Sequence, residues 1–152
     1  MSENGWIWCY QRRIASDPAE SRMVVSRLLD ELKRRNWGEN DVFAVHLALE
    51  EALVNAIKHG NRKDASKSVD VVCWLKPDRI QIQITDEGSG FDPGLVPDPT
   101  DDEHLEIPSG RGMMLMRCFM TSLEYNPKGN SVTMEKVRGA ETETVLGESN
   151  EP

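Results

Sequence analysis

Residues 50–61 read EEALVNAIKHGN, a stretch with a good apolar stripe that also carries two carboxylates, an amide, a lysine and a histidine. Worked outward, the stripe is Val42, Val45, Leu49, Ala52, Leu53 and Ala56, whose three- and four-residue spacing predicts a helix from about Asn40 to His59. Gly60 is expected to close it as a left-handed cap. At about 100° per residue, steps of four bring Glu51, Asn55 and His59 onto one edge beside the stripe. Such an edge is either a solvated polar face or the border of a pocket. Taken alone the stretch fits the solvated face better, and Asn55 weighs slightly the other way, because asparagine is a mediocre helix former and a neutral oxygen ligand for a hard cation.

On either side of this helix the periodicity is equally readable. Upstream, WIWCYQRRI (6–14) has the aromatic and β-branched content of a strand. SDPAESRMVVSRLLDELKRRNWG (16–38) then predicts a helix over about 18–36, with Ser16 or Asp17 as cap, Pro18 in the first turn, Gly38 ending the run, and Met23, Val24, Leu28, Leu29 and Leu32 buried. Downstream, SVDVVCWL (68–75) and RIQIQITD (79–86) form a hairpin about Pro77 and Asp78. Residues 86–112 contain five glycines and four prolines without usable periodicity, and a loop so long inside a compact domain tends to be functional. MMLMRCFM (113–120) resumes helical spacing, and TSLEYN and SVTMEKV close a second hairpin across PKGN. The expected fold class is α/β (α+β): a two-layer sandwich whose mixed, mostly antiparallel sheet is covered on one face by helices. One domain is expected over 1–138 and a disordered polar tail over 139–152.

Composition narrows the functions. The chain has 152 residues, enough for one domain with a substantial core. It carries 26 acidic against 18 basic residues and a net charge of -8, which lacks the bulk attraction that direct nucleic-acid binding relies on. No segment approaches the roughly eighteen apolar residues of a membrane span, and the start lacks the order of a signal peptide, so the expected location is cytoplasmic. Cys9, Cys73 and Cys118 are odd in number and set in apolar runs, and are read as reduced, buried thiols.

Two further stretches carry chemistry. TDEGSGF places Asp86 at a strand end, followed by Gly88 and Gly90; this is either a plain turn or a fixed acceptor for an exocyclic amine, beside backbone that a planar ligand can approach. SGRGMMLM puts Gly110, Arg111 and Gly112 before an apolar helix, where free N–H groups and the dipole favour phosphate, or where the glycines simply start a helix. The order and spacing of all three stretches, a helix edge Glu-x-x-x-Asn, a hairpin, Asp-x-Gly-x-Gly, a long loop and Gly-x-Gly on a helix, resembles the GHKL (Bergerat-type) ATP-binding superfamily. The wording of EEALVNAIKHGN and EYNPKGNSVTMEK is most similar to its stand-alone anti-sigma-factor serine/threonine kinases.

The resemblance implies a histidine-kinase-like ATP-binding domain with ATP and Mg2+ as cofactors. It assigns Asn55 to Mg2+, Glu51 to the general base that takes a proton from a substrate serine or threonine, and Asp86 to adenine. Gly88 and Gly90 then shape the pocket wall, Gly110 and Gly112 the phosphate-facing turn, and residues 93–109 an ATP lid. His59 either closes the pocket or caps the helix. Where some such kinases carry an arginine before the Ser-Gly of the third motif, this chain has Pro108, and its basic residue is Arg111. The lid is acidic, which suits a surface facing a partner. The implied partners are a sigma factor and a STAS-type anti-anti-sigma protein, the latter phosphorylated in transcription regulation, with no membrane or direct nucleic-acid contact and with a homodimer as one assembly. The competing function is a non-catalytic switch in which ATP only sets partner affinity. The pocket reading requires Asn55 and Asp86 to face the same space.

Overall fold

A computed structural model describes residues 5–64, 66–88 and 116–140. The elements are β1 (Trp8–Ala15), α1 (Pro18–Arg34), α2 (Glu39–Val54) running into a π-helical segment (Asn55–Gly60), β2 (Ser68–Lys76), β3 (Arg79–Asp86), a helical turn over 116–119, β4 (Ser122–Tyr125) and β5 (Ser131–Val137). The sheet order is β1-β2-β3-β5-β4, and each of these neighbours pairs antiparallel.

Strand alternation sorts side chains onto two faces. Val69, Val71, Cys73 and Leu75 on β2, Ile80, Ile82 and Ile84 on β3, and Val132 and Met134 on β5 are all buried. They form one core cluster with Val24, Leu28 and Leu32 of α1 and Val45, Leu49 and Leu53 of α2. The intervening residues, such as Asp70, Gln81 and Gln83, remain partly exposed. The result is the expected two-layer α+β arrangement, with helices on one face of an open sheet.

Local chemistry sets the helix ends. Asp17 caps α1 by accepting from Ala19 N at 2.9 Å, Pro18 fills the first turn, and Glu20 reaches back to accept from Ala15 N at 3.1 Å. Asn36, at φ 65°, takes the left-handed position after α1, while Gly38 becomes the extended N-cap of α2. Met23 is 55% exposed, and Val25 is buried in its place beside Val24; the core face of α1 runs through 24, 25, 28, 29 and 32, one step round from the face expected. In α2, Val42 is only half-buried, and small Ala44 and Ala48 complete the stripe, which lets the helix lie close to the sheet.

Cys73 is buried as expected, but Cys9 is exposed, because its register partner is Trp74 on the face turned away from the helices. Among the described residues no helix is long and apolar enough to cross a membrane. The tail expected from Gly139 lies outside the described residues from 141 onward. Gly139 itself is anchored, donating its N–H to the buried Asp41 at 2.9 Å.

Candidate active site

The helix bearing Glu51 and Asn55 changes character at Asn55. From there to Gly60 the backbone is π-helical, and Asn61 N donates to Ala56 O, five residues back, at 2.8 Å. Single π turns inside helices are frequent at functional sites. His59 lies within this π-segment and is half-buried. Asn55 is 6% exposed, and among the described residues its side-chain nitrogen makes no hydrogen bond of ordinary geometry, the Tyr125 hydroxyl being a polar group that the amide does influence. A buried amide left this way costs about 1–3 kcal/mol, and it is a group that a ligand can satisfy.

Glu51 lies one α-turn earlier, half-buried. Burial raises its carboxyl above the ordinary range, the charge of Glu50 adds to this, and Lys58 opposes it. Glu50 is exposed and paired with His46 at 3.0 Å, as a solvated face demands. Both Glu50 and Glu51 border a groove of about 360 Å3 between α1 and α2, whose walls include Arg22, Val25 and Leu47.

Asp86 ends β3. Its backbone N–H donates to Asn130 O at 2.9 Å, and Asn130 Nδ2 donates to Asp86 O at 3.1 Å, so the strand end is held in place. The carboxylate accepts from Gly88 N at 2.8 Å, yet burial outweighs this bond and pushes its pKa up to about 6. Gly60 is not a left-handed cap: the residues at positive φ here are Arg62 and Lys63. Its hydrogen side chain has a tertiary cause, because a Cβ at Gly60 would fall on the Asp86 carboxyl and one at Gly88 would fall on the Gly60 carbonyl. The end of the π-segment and the end of β3 therefore touch backbone to side chain.

The sides of this space meet at Tyr125, near the end of β4. Burial pushes its phenol up to about 12; the Asn55 amide and Arg117 oppose this, while Asp86 and Glu51 add to it. The Asn55 amide and the charges of Asp86 and Glu51 are thus all felt at one hydroxyl. Gly90, Gly110, Arg111 and Gly112, together with the expected lid and His104, lie outside the described residues. Among the described residues no cluster of three or more His, Cys, Asp or Glu could hold a metal. Sequence reading missed Tyr125, whose only signal was an aromatic residue in the closing hairpin, and Asn61, which reads like another helix-ending residue after Gly60.

The histidine kinase-like ATPase domain family matches residues 14–136, spanning both the helix of Asn55 and the strand end of Asp86. The chain belongs to this family. Within the histidine kinase-like ATPase domains it is similar to the anti-sigma F factor of Oceanobacillus iheyensis, 30% identical over 129 residues that cover 81% of this chain and 86% of that one. The serine-protein kinase RsbW of Bacillus subtilis is 24% identical over 140 residues, 86% of each chain. Among solved structures, the RsbU and RsbW domains of a Mycobacterium tuberculosis protein share the fold with a TM-score of 0.60 at 13% identity, covering 91% of this chain and 35% of that longer chain.

Proposed function

We propose that this chain is an ATP-dependent protein serine/threonine kinase that acts as an anti-sigma factor and phosphorylates a STAS-type anti-anti-sigma partner. The observation that supports this reading is that a buried Asn55 amide, a half-buried Glu51 and a desolvated Asp86 all act on the Tyr125 hydroxyl. Support also comes from relatives named as an anti-sigma F factor and a serine-protein kinase.

The residues suit a Mg2+ nucleotide. Asp86 is an acceptor for the exocyclic amine of adenine, and the absence of a Cβ at Gly60 and Gly88 lets the helix end and the strand end that carry the site pack directly against each other. Asn55 offers one amide oxygen, and Mg2+ in such sites is completed by phosphates and water rather than by a protein cage. The bound nucleotide supplies the electrophilic γ-phosphorus and, with Mg2+, the charge neutralisation of the transferring group.

The chain's part is then positioning and proton transfer. Glu51, in its ionised form, takes the proton from the serine or threonine hydroxyl of the partner. That oxygen bonds to the γ-phosphorus as the bond to the β–γ bridging oxygen breaks and ADP leaves. A carboxyl raised above the ordinary range is a stronger base, and its groove between α1 and α2 gives the partner's hydroxyl segment an approach.

Labelled ATP, Mg2+ and candidate STAS proteins test the proposal. Transfer to serine or threonine that Glu51→Ala abolishes supports the kinase. Tight ATP binding with no transfer to any partner replaces it with the non-catalytic switch.

A further inference from the structure

The end of the π-segment and the end of β3 are joined by one side chain that the proposed chemistry does not use. Asn61 is 0% exposed. Its Nδ2 donates to Ser16 Oγ and to Ser68 O, each at 2.9 Å, and its Oδ1 accepts from Glu87 N at 2.7 Å. One amide thus spends both donor hydrogens and an acceptor on three separate chain segments: the β1–α1 junction, the start of β2 and the residue after Asp86.

The bond to Glu87 N is the consequential one. Glu87 lies between Asp86 and Gly88, and its carboxylate accepts from Ser68 N at 2.6 Å, so both its backbone and its side chain are tied to the neighbourhood of Asn61. Gly88 N donates to Asp86 Oδ1, and the Gly60 carbonyl packs against Gly88. Asn61 is therefore the covalent neighbour of one wall, Gly60, and the hydrogen-bond anchor of the other, the turn over 86–88. It sets the separation between the helix end that carries Asn55 and the strand end that carries Asp86.

We infer that Asn61 is a positioning residue for base recognition, holding the turn over 86–88 so that the Asp86 carboxylate meets the exocyclic amine of adenine and rejects purines that present a carbonyl there. The inference rests on the proposed adenine role of Asp86. Ser16 provides the comparison. It shares the Asn61 amide and donates to Lys67 O at 2.9 Å, but it touches neither Asp86 nor Glu87 by any hydrogen bond described here.

The test is the ratio of ADP to GDP affinity, by calorimetric titration with Mg2+, for the full chain and for Asn61→Ala and Ser16→Ala, at a temperature where all three are folded. The unaltered chain is expected to prefer ADP. Asn61→Ala is expected to cut that preference about tenfold or more, the scale of losing one aligned charged hydrogen bond, and Ser16→Ala to leave it within about twofold. A preference unchanged in Asn61→Ala, or lost equally in Ser16→Ala, overturns the inference, since general loosening would then account for it. An unaltered chain with no preference for ADP overturns the adenine reading itself, and the inference with it. Should Asn61→Ala fail to fold, amide hydrogen exchange of Glu87 in the unaltered chain decides: slow exchange supports the anchor, and exchange at open-loop rates overturns it.

Discussion

Replacing Asp86 by asparagine separates function from stability, with opposite signs. Raising a carboxyl from its ordinary 3.8 to about 6 would cost roughly 3 kcal/mol of folding free energy at neutral pH if the group were fully buried, at about 1.4 kcal/mol per tenfold change. Asp86 is partly exposed, so screening reduces this to about 1–2 kcal/mol. Asparagine keeps an oxygen to accept from Gly88 N and carries no charge to desolvate. The folded state binds the Asp86 proton more tightly than the unfolded state does, so this group's contribution is most favourable below pH 3.8 and is lost as pH rises to about 6.

The variant is therefore expected to match the unaltered chain near pH 4, to gain over it between pH 4 and 6, and to hold a plateau advantage of about 1–2 kcal/mol above pH 7. Urea unfolding at pH 4, 5, 6 and 7.5 measures this. Nucleotide titration of the same variant is expected to show ADP binding weakened about 10- to 100-fold, because a charged acceptor has been replaced by a neutral one. A structural aspartate behaves oppositely, losing stability with little change in binding. Lower stability of Asp86→Asn at pH 7.5, or an advantage independent of pH, refutes the desolvation argument.

Glu51→Gln is expected to lower phosphoryl transfer about 10²- to 10⁴-fold while leaving ADP affinity within about twofold. In the unaltered chain the transfer rate is expected to fall as pH drops through a pKa above the ordinary 4.5, because only the ionised carboxylate accepts the proton; steady-state kinetics from pH 4.5 to 8 read this limb. Gly60→Ala drives a Cβ into the Asp86 carboxyl and is expected to cost about 1–3 kcal/mol by urea unfolding, together with loss of ADP binding. Alkylation followed by mass spectrometry is expected to modify the exposed Cys9 rapidly in the folded chain. Cys73, buried and with its thiol raised by burial, is expected to react only on unfolding.

The strands were legible because a half-buried antiparallel strand writes its period into the side chains: Ile80, Ile82 and Ile84 could face the core only in one register, and β3 spans the same residues, Arg79–Asp86, that the alternation marked. Glu51, Asn55 and Asp86 were nominated for a different reason, since each alone fits a solvated face or a strand-ending turn and only the order and spacing of the three motifs together marks them. The π turn left no such mark. A hydrogen-bond shift from four to five residues changes neither composition nor the apolar stripe, so an α-helix to His59 was the natural reading. Gly60 shows the same limit more sharply. Locally, a glycine after a helix argues for positive φ, whereas here the demand comes from the Asp86 carboxyl, distant in sequence and adjacent in space. Asn61 is hidden likewise, because its three partners belong to three other segments. Glycines 60 and 88 are best understood together, as the trace that one tertiary contact leaves at two places in the chain, the contact that packs the end of the helix bearing Asn55 against the Asp86 carboxylate at the end of β3.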